Sequence, residues 1–277
     1  MQPIVVFTDL DGTLLNHHDY SYQDALPAIN SLRARQIPLI LVSSKTRAEM
    51  TDLCRELVIA DPYVCENGSV IVLPKQWAED FHVPPVGLVK EADCLLAYRG
   101  AQRDGIVTLL ASLADCFDFT GFADMSVSDV VDVTGLDEAS AVKAMQRDAS
   151  EPLLWHDNEA AFNDFAQLLG EHNLRVLKGG RFYHVMASCD KGDAVRYLLR
   201  LYGSHYGAKV KSIALGDSPN DLIMLREVDQ AVVIPHADGT IMHDHALINA
   251  INAPFAGAKG WRAGVEQALQ RLQNNED

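Results

Sequence analysis

Short apolar runs alternate with segments of helical periodicity at the N-terminal end of the chain. Residues 3–8 and 37–42 are rich in Val, Ile and Leu, which is typical of strands buried on both faces of a parallel sheet. Residues 21–35 and 46–58 place apolar side chains at the spacing of one helix face. The order strand, helix, strand, helix predicts right-handed crossovers and a doubly wound α/β sheet.

The same alternation returns near the C-terminus. Residues 191–206 and 219–228 have helical periodicity, and residues 210–215 and 231–234 are short apolar runs. The two ends of the chain are therefore expected to build one Rossmann-like sheet.

The middle of the chain has a different character. Three prolines between residues 74 and 85 open a stretch rich in breakers, and a mixture of helical and strand patterns follows. We predict that residues 1–83 and 189–277 form one core, and that residues 84–188 are an inserted α+β domain. One continuous large domain is the alternative.

The chain is strongly acidic. Its 277 residues include 38 Asp and Glu against 23 Lys and Arg, a formal net charge of −15, and 48% are hydrophobic. A sizeable core can form, whereas broad binding to nucleic acid or to an anionic membrane surface is disfavoured. A phosphorylated small molecule would therefore need a local cluster of positive charge or a metal ion.

Cysteine usage and the N-terminal sequence predict a cytoplasmic protein. The five cysteines are scattered and form neither a CxxC pair nor a Cys/His ligand spacing, so we expect reduced thiols. The first apolar run follows no basic segment and is stopped by Asp9, which argues against a signal peptide. No stretch approaches the roughly 18 apolar residues that a membrane span requires. The sequence leaves the oligomeric state open.

Two carboxylates follow the first apolar run, in the string Asp9-Leu10-Asp11-Gly12-Thr13. Ligand sites of open α/β sheets lie at the carboxyl ends of the strands, and alternate residues put Asp9 and Asp11 on the same side. Two acids this close repel each other unless a cation lies between them or one takes a proton. The pair therefore suits a hard metal ion or acid–base chemistry. A solvated Asp-Gly turn is the alternative, and it leaves the position of the whole string unexplained.

A second pair of carboxylates follows the apolar run at residues 212–215, in the string Gly216-Asp217-Ser218-Pro219-Asn220-Asp221. Ser218 and Pro219 are typical of a helix start, but a helix start does not explain the two acids beside them. All four carboxylates converge if the first strand neighbours the strand that precedes Asp217.

Two further residues suit a phosphate site. Ser43 ends the second apolar run, where its hydroxyl and backbone N–H could meet a phosphoryl oxygen near a helix N-terminus. Lys191 opens the helix after the insertion, where it could balance the charge of phosphate and Asp9. Taken singly, each is an ordinary turn or surface residue, and only their place in the series makes them candidates.

Four motifs follow one another along the chain: the Asp9–Thr13 string, Ser43, Lys191 and the Gly216–Asp221 string. In this order they resemble the motifs of the haloacid dehalogenase-like phosphatases, and the resemblance covers both ends of the chain. It implies that Asp9 attacks phosphorus to form an aspartyl-phosphate, while Asp11 protonates the leaving oxygen and then activates water. It further implies that Ser43 and Lys191 orient the phosphoryl group. A carboxylate nucleophile fits this chemistry because it splits the transfer into two easier steps.

The same resemblance implies a magnesium ion. Its ligands would be the Asp9 carboxylate, the backbone carbonyl of Asp11 and the Asp217 carboxylate, with Asp221 and Asn220 in support. The ion would neutralise charge on the approaching anion.

The position of the insertion resembles the larger, sheet-bearing cap of sugar-phosphate phosphatases, which implies that residues 84–188 set substrate specificity. Four short strings further resemble the mannosyl-3-phosphoglycerate phosphatases: Val42-Ser43-Ser44-Lys45-Thr46, Glu66-Asn67-Gly68, Gly179-Gly180-Arg181-Phe182-Tyr183-His184 and Lys259-Gly260-Trp261. The expected phosphate or substrate contacts are Gly12, Ser44, Asn67, Lys178, Arg181, His184 and Asn220. The chain departs from many related sugar phosphatases in having Ser44-Lys45 where they have Gly-Arg.

Lys178, Arg181 and His184 form a basic cluster in an acidic chain. Arg181 can hold a carboxylate through two parallel hydrogen bonds, so the cluster suits a substrate with a second anionic group, such as a glycerate carboxylate. A Gly179-Gly180 hairpin turn with solvated flanks is the alternative.

The resemblance to the mannosyl-3-phosphoglycerate phosphatases thus implies hydrolysis of mannosyl-3-phosphoglycerate to mannosylglycerate. Phosphatases of other sugar phosphates, such as hexose phosphate or sucrose phosphate, would have the same core, and a phosphomutase uses the same nucleophile. A module that only binds phosphometabolites would be expected to lack Asp9 or Asp11, and both are present.

Overall fold

The computed structural model describes residues 2–179 and 181–274, so Gly180 of the predicted basic turn lies outside the described residues. The strands are β1 (Ile4–Thr8), β2 (Leu39–Leu41), β3 (Tyr63–Cys65), β4 (Val70–Pro74), β5 (Val89–Lys90), β6 (Cys94–Tyr98), β7 (Phe119–Gly121), β8 (Ser150–Trp155), β9 (Leu174–Lys178), β10 (Tyr183–Ala187), β11 (Lys211–Gly216), β12 (Gln230–Val233) and β13 (Ile251–Asn252).

The helices are α1 (Leu26–Ala34), α2 (Arg47–Glu56), α3 (Lys75–Asp80), α4 (Arg103–Leu113), α5 (Val127–Thr134), α6 (Glu138–Met145), α7 (Glu159–Glu171), α8 (Lys191–Tyr206), α9 (Leu222–Arg226) and α10 (Gly257–Asn274). Short 3-10 turns cover Gln23–Ala25, Glu66–Gly68, Phe122–Asp124 and Pro219–Asp221. Among residues 2–179 and 181–274, none of the helices combines the length and apolar character that crossing a membrane demands.

A five-stranded sheet in the order β13-β12-β11-β1-β2 forms the centre of the molecule, and its neighbouring strands are all parallel. Strand β1 is buried on both faces because its side chains alternate between two apolar clusters. Val6 packs in the cluster that contains Trp261 of α10, whereas Val5 and Phe7 pack in the cluster that contains Leu198 of α8. The two apolar clusters cover both faces of the parallel sheet, which confirms the predicted doubly wound α/β core.

The neighbour of β1 is β11, which is the relation that brings the two acidic strings together. Thr8 lies opposite Leu215 in the parallel register. The backbone N–H of Asp9 donates to the carbonyl of Leu215 at 3.0 Å, which extends the ladder past the end of β1. Asp9 and Asp217 therefore leave the sheet at the same edge.

A separate antiparallel sheet lies within the predicted insertion, in the order β7-β8-β10-β9. Its apolar face has a cluster of its own, in which Leu110 of α4 and Phe165 of α7 pack on Val185 of β10. A third sheet, β3-β4-β6-β5, joins the two parts, because β6 of the predicted insertion pairs with β4 outside it, and β5 pairs with β6 at the edge. The insertion bounds of 84–188 stay a prediction.

Two predicted helices begin later than their apolar patterns suggest. The helix expected from residue 21 begins at Leu26, after the 3-10 turn Gln23–Ala25, and Pro27 occupies its first turn. The helix expected from residue 219 begins as the 3-10 turn Pro219–Asp221 and continues as α9. In both places, tighter local hydrogen bonding replaces the first α-helical turn.

Candidate active site

Lys191 is a fully buried cation between two acids. Its Nζ lies 2.6 Å from Asp9 Oδ1 and 2.7 Å from Asp221 Oδ1. Burial alone would lower the Lys191 pKa, but the charges and hydrogen bonds of both carboxylates outweigh burial and raise it. The position follows from the local sequence, since Asp190 and Asp193 close a capping box that starts α8 at this lysine.

The backbone that carries Asp9 is held from behind by Trp261. The indole Nε1 of this fully buried side chain donates to Thr8 Oγ1 at 2.8 Å. The Thr8 hydroxyl in turn donates to the carbonyl oxygen of Asp9 at 2.7 Å. The Lys259-Gly260-Trp261 string therefore contributes a residue that fixes the end of β1.

The turn after β1 wraps around Asp217. Gly12 has a φ of 83°, in the left-handed region that favours glycine. A Cβ on Gly12 would lie 2.5 Å from Asp217 Oδ2, so any other residue here would displace the Asp217 carboxylate. The Thr13 hydroxyl donates to Asp217 Oδ1 at 3.1 Å. Gly12 and Thr13 thus position the Asp217 carboxylate.

Asp221 organises its own loop as well as Lys191. Its Oδ2 accepts hydrogen bonds from the backbone N–H of Asp217 at 3.2 Å and of Ser218 at 3.1 Å. Its Oδ1 accepts from Lys191. Both oxygens of this buried carboxylate are therefore engaged with protein donors, which fixes Asp217 relative to Lys191.

The acidic cluster has the properties of a hard-cation site. One carboxylate oxygen from each of Asp9, Asp217 and Asp221 lies within 4.8 Å of the others. Burial, followed by repulsion from Asp221, raises the pKa of Asp9 to about 8 and that of Asp217 to about 6. A divalent cation would offset this repulsion, and oxygen-only ligands are those that magnesium prefers. The residues present therefore fit a magnesium ion.

Asp11 lies outside this cluster and pairs with Lys45. The Lys45 Nζ lies 3.0 Å from Asp11 Oδ2. Burial would lower the Lys45 pKa, but the neighbouring carboxylates, Asp11 foremost, outweigh it and raise the pKa. The sequence marked Lys45 as part of a resembling string and as a departure from related sugar phosphatases, but not as a partner of Asp11, so this contact was missed.

The structure corrects one predicted role of Ser43. Its backbone N–H donates to the Val64 carbonyl at 3.0 Å, and its carbonyl accepts from the N–H of Asn67 at 2.9 Å. The Ser43 N–H is therefore not available to a phosphoryl oxygen, because the end of β2 is joined to β3. The Ser43 Oγ accepts from the N–H of Lys45 at 3.2 Å and stays free to donate its own proton.

A cavity of about 620 Å³ opens above Asp9 and Lys191. The predicted site residues that line it are Asp9, Asp11, Ser44, Asn67, Lys178, His184, Lys191, Asp217 and Asn220. Gly12 lines an adjoining cavity of about 570 Å³, together with Asp217 and His236. Among the described residues, Ser43, Asp221 and Arg181 are not part of the lining of the first cavity.

The Arg181 side chain contacts the cap rather than the catalytic cavity. Its guanidinium donates to the backbone carbonyl of Val133, within the predicted cap. The structure therefore does not bring Arg181 to the catalytic cavity as expected. The cap instead contributes Arg175 and Leu177, which the sequence analysis missed although they alternate on strand β9. His17 and His236 also line the cavity without having been expected there.

Comparison with known proteins defines the class to which this fold and site belong. Residues 6–84 match the family model described as haloacid dehalogenase-like hydrolase. The chain is 35% identical over 271 residues to a glucosyl-3-phosphoglycerate/mannosyl-3-phosphoglycerate phosphatase of Persephonella marina, and the match covers 98% of each chain. The chain belongs to the haloacid dehalogenase-like hydrolases. Within that family it is a phosphoric monoester hydrolase.

Two solved structures are similar in fold to the present chain. A sucrose-phosphatase of Synechocystis, solved with sucrose and phosphate, has a TM-score of 0.60 at 16% identity, and 99% of each chain is covered. A haloacid dehalogenase-like hydrolase of Bacteroides thetaiotaomicron has a TM-score of 0.64 at 17% identity, covering 98% of this chain and 100% of that one. At these identities the likeness concerns the fold alone.

Proposed function

We propose that the protein is a magnesium-dependent phosphatase that converts 2-O-(α-mannosyl)-3-phosphoglycerate to mannosylglycerate and phosphate. The observation that carries the phosphatase chemistry is the buried contact of Lys191 with Asp9 and Asp221 at the base of a large cavity. The substrate is supported by the relative from Persephonella marina, whose name includes mannosyl-3-phosphoglycerate.

The first half of the reaction transfers the phosphoryl group to Asp9. An oxygen of the Asp9 carboxylate forms a bond to phosphorus as the bond from phosphorus to the glycerate oxygen breaks. Asp11 donates a proton to the departing oxygen, so that an alcohol leaves rather than an alkoxide. Lys191 holds Asp9 in place and balances the charge that accumulates on the phosphoryl oxygens. The Ser43 hydroxyl and Ser44 orient the same group from the end of β2.

The second half of the reaction restores the enzyme. Asp11, now a carboxylate, takes a proton from a water molecule, whose oxygen attacks phosphorus. The bond between phosphorus and Asp9 breaks, and phosphate leaves. Lys45 keeps Asp11 in position for both proton transfers, since its Nζ lies 3.0 Å from the carboxylate.

Charge within the site favours a divalent cation. Asp9, Asp11, Asp217 and Asp221 carry four negative charges when ionised, against two positive charges on Lys45 and Lys191. Asp9, Asp217 and the carbonyl of Asp11 would hold the ion, with Asp221 and Asn220 behind them. When bound, magnesium would neutralise negative charge on the phosphoryl oxygens.

A comparison of substrates tests this proposal. Purified protein would be assayed for phosphate release from mannosyl-3-phosphoglycerate, glucose 6-phosphate and sucrose 6-phosphate, with magnesium and with a chelator. We expect the highest kcat/KM for mannosyl-3-phosphoglycerate and no release in the chelator. A higher kcat/KM for either other compound would assign the enzyme to a different sugar phosphate. Phosphate release from none of them would refute the proposed chemistry.

Product analysis separates hydrolysis from transfer. In isotopically labelled water, hydrolysis places the label in the released phosphate. A phosphomutase would instead return the phosphoryl group to the sugar product without label.

A further inference from the structure

The cap side of the catalytic cavity carries positive charge. Strand β9 and the residues after it bring Arg175, Leu177, Lys178 and Gly179 to the lining, opposite a core side that contains Asp9 and Lys191. The chain has 38 acidic residues against 23 basic ones, so cations are scarce. Arg175 and Lys178 nevertheless both contribute to the lining of one cavity.

Strand geometry explains why Arg175 reaches the cavity. Successive side chains of a strand point to opposite faces, so Arg175 and Leu177 share one face of β9. Both line the cavity. In the antiparallel register, Leu177 lies opposite His184, another lining residue. One face of this sheet is therefore turned towards Asp9.

Arg175 has unused hydrogen-bonding capacity. Its Nε is buried and has no hydrogen-bond partner among residues 2–179 and 181–274. Within the same ranges, neither Arg175 nor Lys178 takes part in a salt bridge, although other arginines and lysines do. A buried donor without a partner is costly. An anion bound in the cavity would provide the partner.

The other basic residues of this segment do not supply the same charge. Arg181 donates to the carbonyl of Val133 and stays outside the lining. Burial, assisted by the charge of Arg147, lowers the pKa of His184 to about 3, so its ring is neutral near pH 7. A Cβ on Gly179 would lie 2.9 Å from the His184 Nε2, so Gly179 lets this ring pack closely against the turn.

We propose that Arg175 binds a carboxylate of the substrate while Asp9 and Lys191 engage its phosphoryl group. The guanidinium has the planar fork that matches a carboxylate. The Nζ of Lys178 instead lies over the Tyr183 ring, 5.6 Å from its centroid, on the opposite face of β9. The enzyme then selects phosphate monoesters that carry a second anionic group. The inference rests on the proposed phosphatase function and names the residue that gives it specificity.

Two phosphate monoesters that differ mainly in the carboxylate test this role. 3-Phosphoglycerate carries it, and glycerol 3-phosphate lacks it. Binding would be measured by calorimetry on the Asp9→Asn protein, with magnesium, so that the readout does not depend on turnover. We expect 3-phosphoglycerate to bind at least about tenfold more tightly, and Arg175→Met in this background to remove the difference. Equal affinities, or a difference that persists in Arg175→Met, would overturn the proposal.

Turnover provides the second measurement. In the otherwise wild-type protein, Arg175→Met is expected to raise KM for mannosyl-3-phosphoglycerate by about ten- to a hundredfold, and to change kcat/KM for p-nitrophenyl phosphate less than about twofold. Arg175→Lys should recover part of the loss, because it restores the charge without the fork. An equal loss on both substrates would mean that Arg175 only supports the fold.

Matched variants separate a specific contact of Arg175 from a general effect of losing an arginine. Arg262→Met removes an exposed arginine paired with Glu266 on α10 and is expected to leave kcat and KM for both substrates unchanged.

A larger rise of KM in Arg181→Met than in Arg175→Met would assign the carboxylate contact to Arg181 and overturn the inference. If the wild type released no phosphate from any compound, the proposed function would fail, while the binding measurement would still decide the role of Arg175.

Discussion

Lys45 Nζ lies 3.0 Å from Asp11 Oδ2, so the candidate general acid–base group is held by a lysine from the loop after β2. The same loop contains Ser43 and Ser44. The cation that holds Asp11 therefore comes from the same loop as the two serines that we propose orient the phosphoryl group.

Lys45→Met should lower kcat more than it changes KM. The variant keeps the apolar stem but removes the charge that holds the Asp11 carboxylate, so proton transfer to the leaving oxygen becomes less well aligned. We expect a fall in kcat of about ten- to a hundredfold, which is within the range that general acid–base catalysis contributes. Steady-state kinetics with mannosyl-3-phosphoglycerate measures it.

Lys209→Met is the matched control for this prediction. Lys209 pairs with Asp229 at 3.4 Å on the surface, near the opposite end of β11, and should leave kcat unchanged. A Lys45→Met enzyme with wild-type kcat would show that Asp11 needs no such partner.

Asp217→Ala should raise the magnesium requirement. Asp217 is one of three acids whose oxygens converge within 4.8 Å, and its removal leaves the ion fewer charged ligands. We expect the magnesium concentration for half-maximal activity to rise by at least about tenfold, which corresponds to roughly 1.4 kcal/mol of binding free energy. Titration of activity with magnesium measures the change, and an unchanged titration curve would place the ion elsewhere.

His184 should make the fold sensitive to acid. Burial lowers its pKa from 6.5 to about 3 in the folded state. Between these values, the unfolded chain binds a proton that the folded chain does not, so the free energy of unfolding falls as the pH decreases through this window. From pH 7 to pH 5, the wild type should lose about 2 kcal/mol more than His184→Gln, as judged by urea unfolding. Equal losses would mean that His184 is protonated in the folded protein.

The sequence predicted the core of this structure well because the signals there are local. A strand buried on both faces must be apolar throughout, and the acids that follow it must lie at its carboxyl end. The pairing of β1 with β11 then brings Asp9 and Asp217 together. The start of α8 at Lys191 was also predictable, since the apolar pattern of the helix begins there.

The cap contacts were harder to predict because they depend on tertiary packing. The sequence showed Lys178, Arg181 and His184 as one basic cluster, yet the turn after β9 directs Arg181 to Val133 instead of the cavity. Arg175 carried a signal in its alternation with Leu177, but a strand pattern does not reveal which face meets the core. The contact between Lys45 and Asp11 was not predicted either, because it depends on tertiary packing that brings the two residues together.

The nucleophilic role of Asp9 is the central claim, and phosphate release by Asp9→Asn tests it most directly. The amide is a poor nucleophile and a weaker metal ligand, while the variant should remain folded because it removes a carboxylate from a crowded acidic cluster. In magnesium buffer with mannosyl-3-phosphoglycerate, we predict at least about a thousandfold loss of kcat. Mass spectrometry of the protein would exclude deamidation back to aspartate. Phosphate release at a rate near that of the wild type would contradict the nucleophilic role.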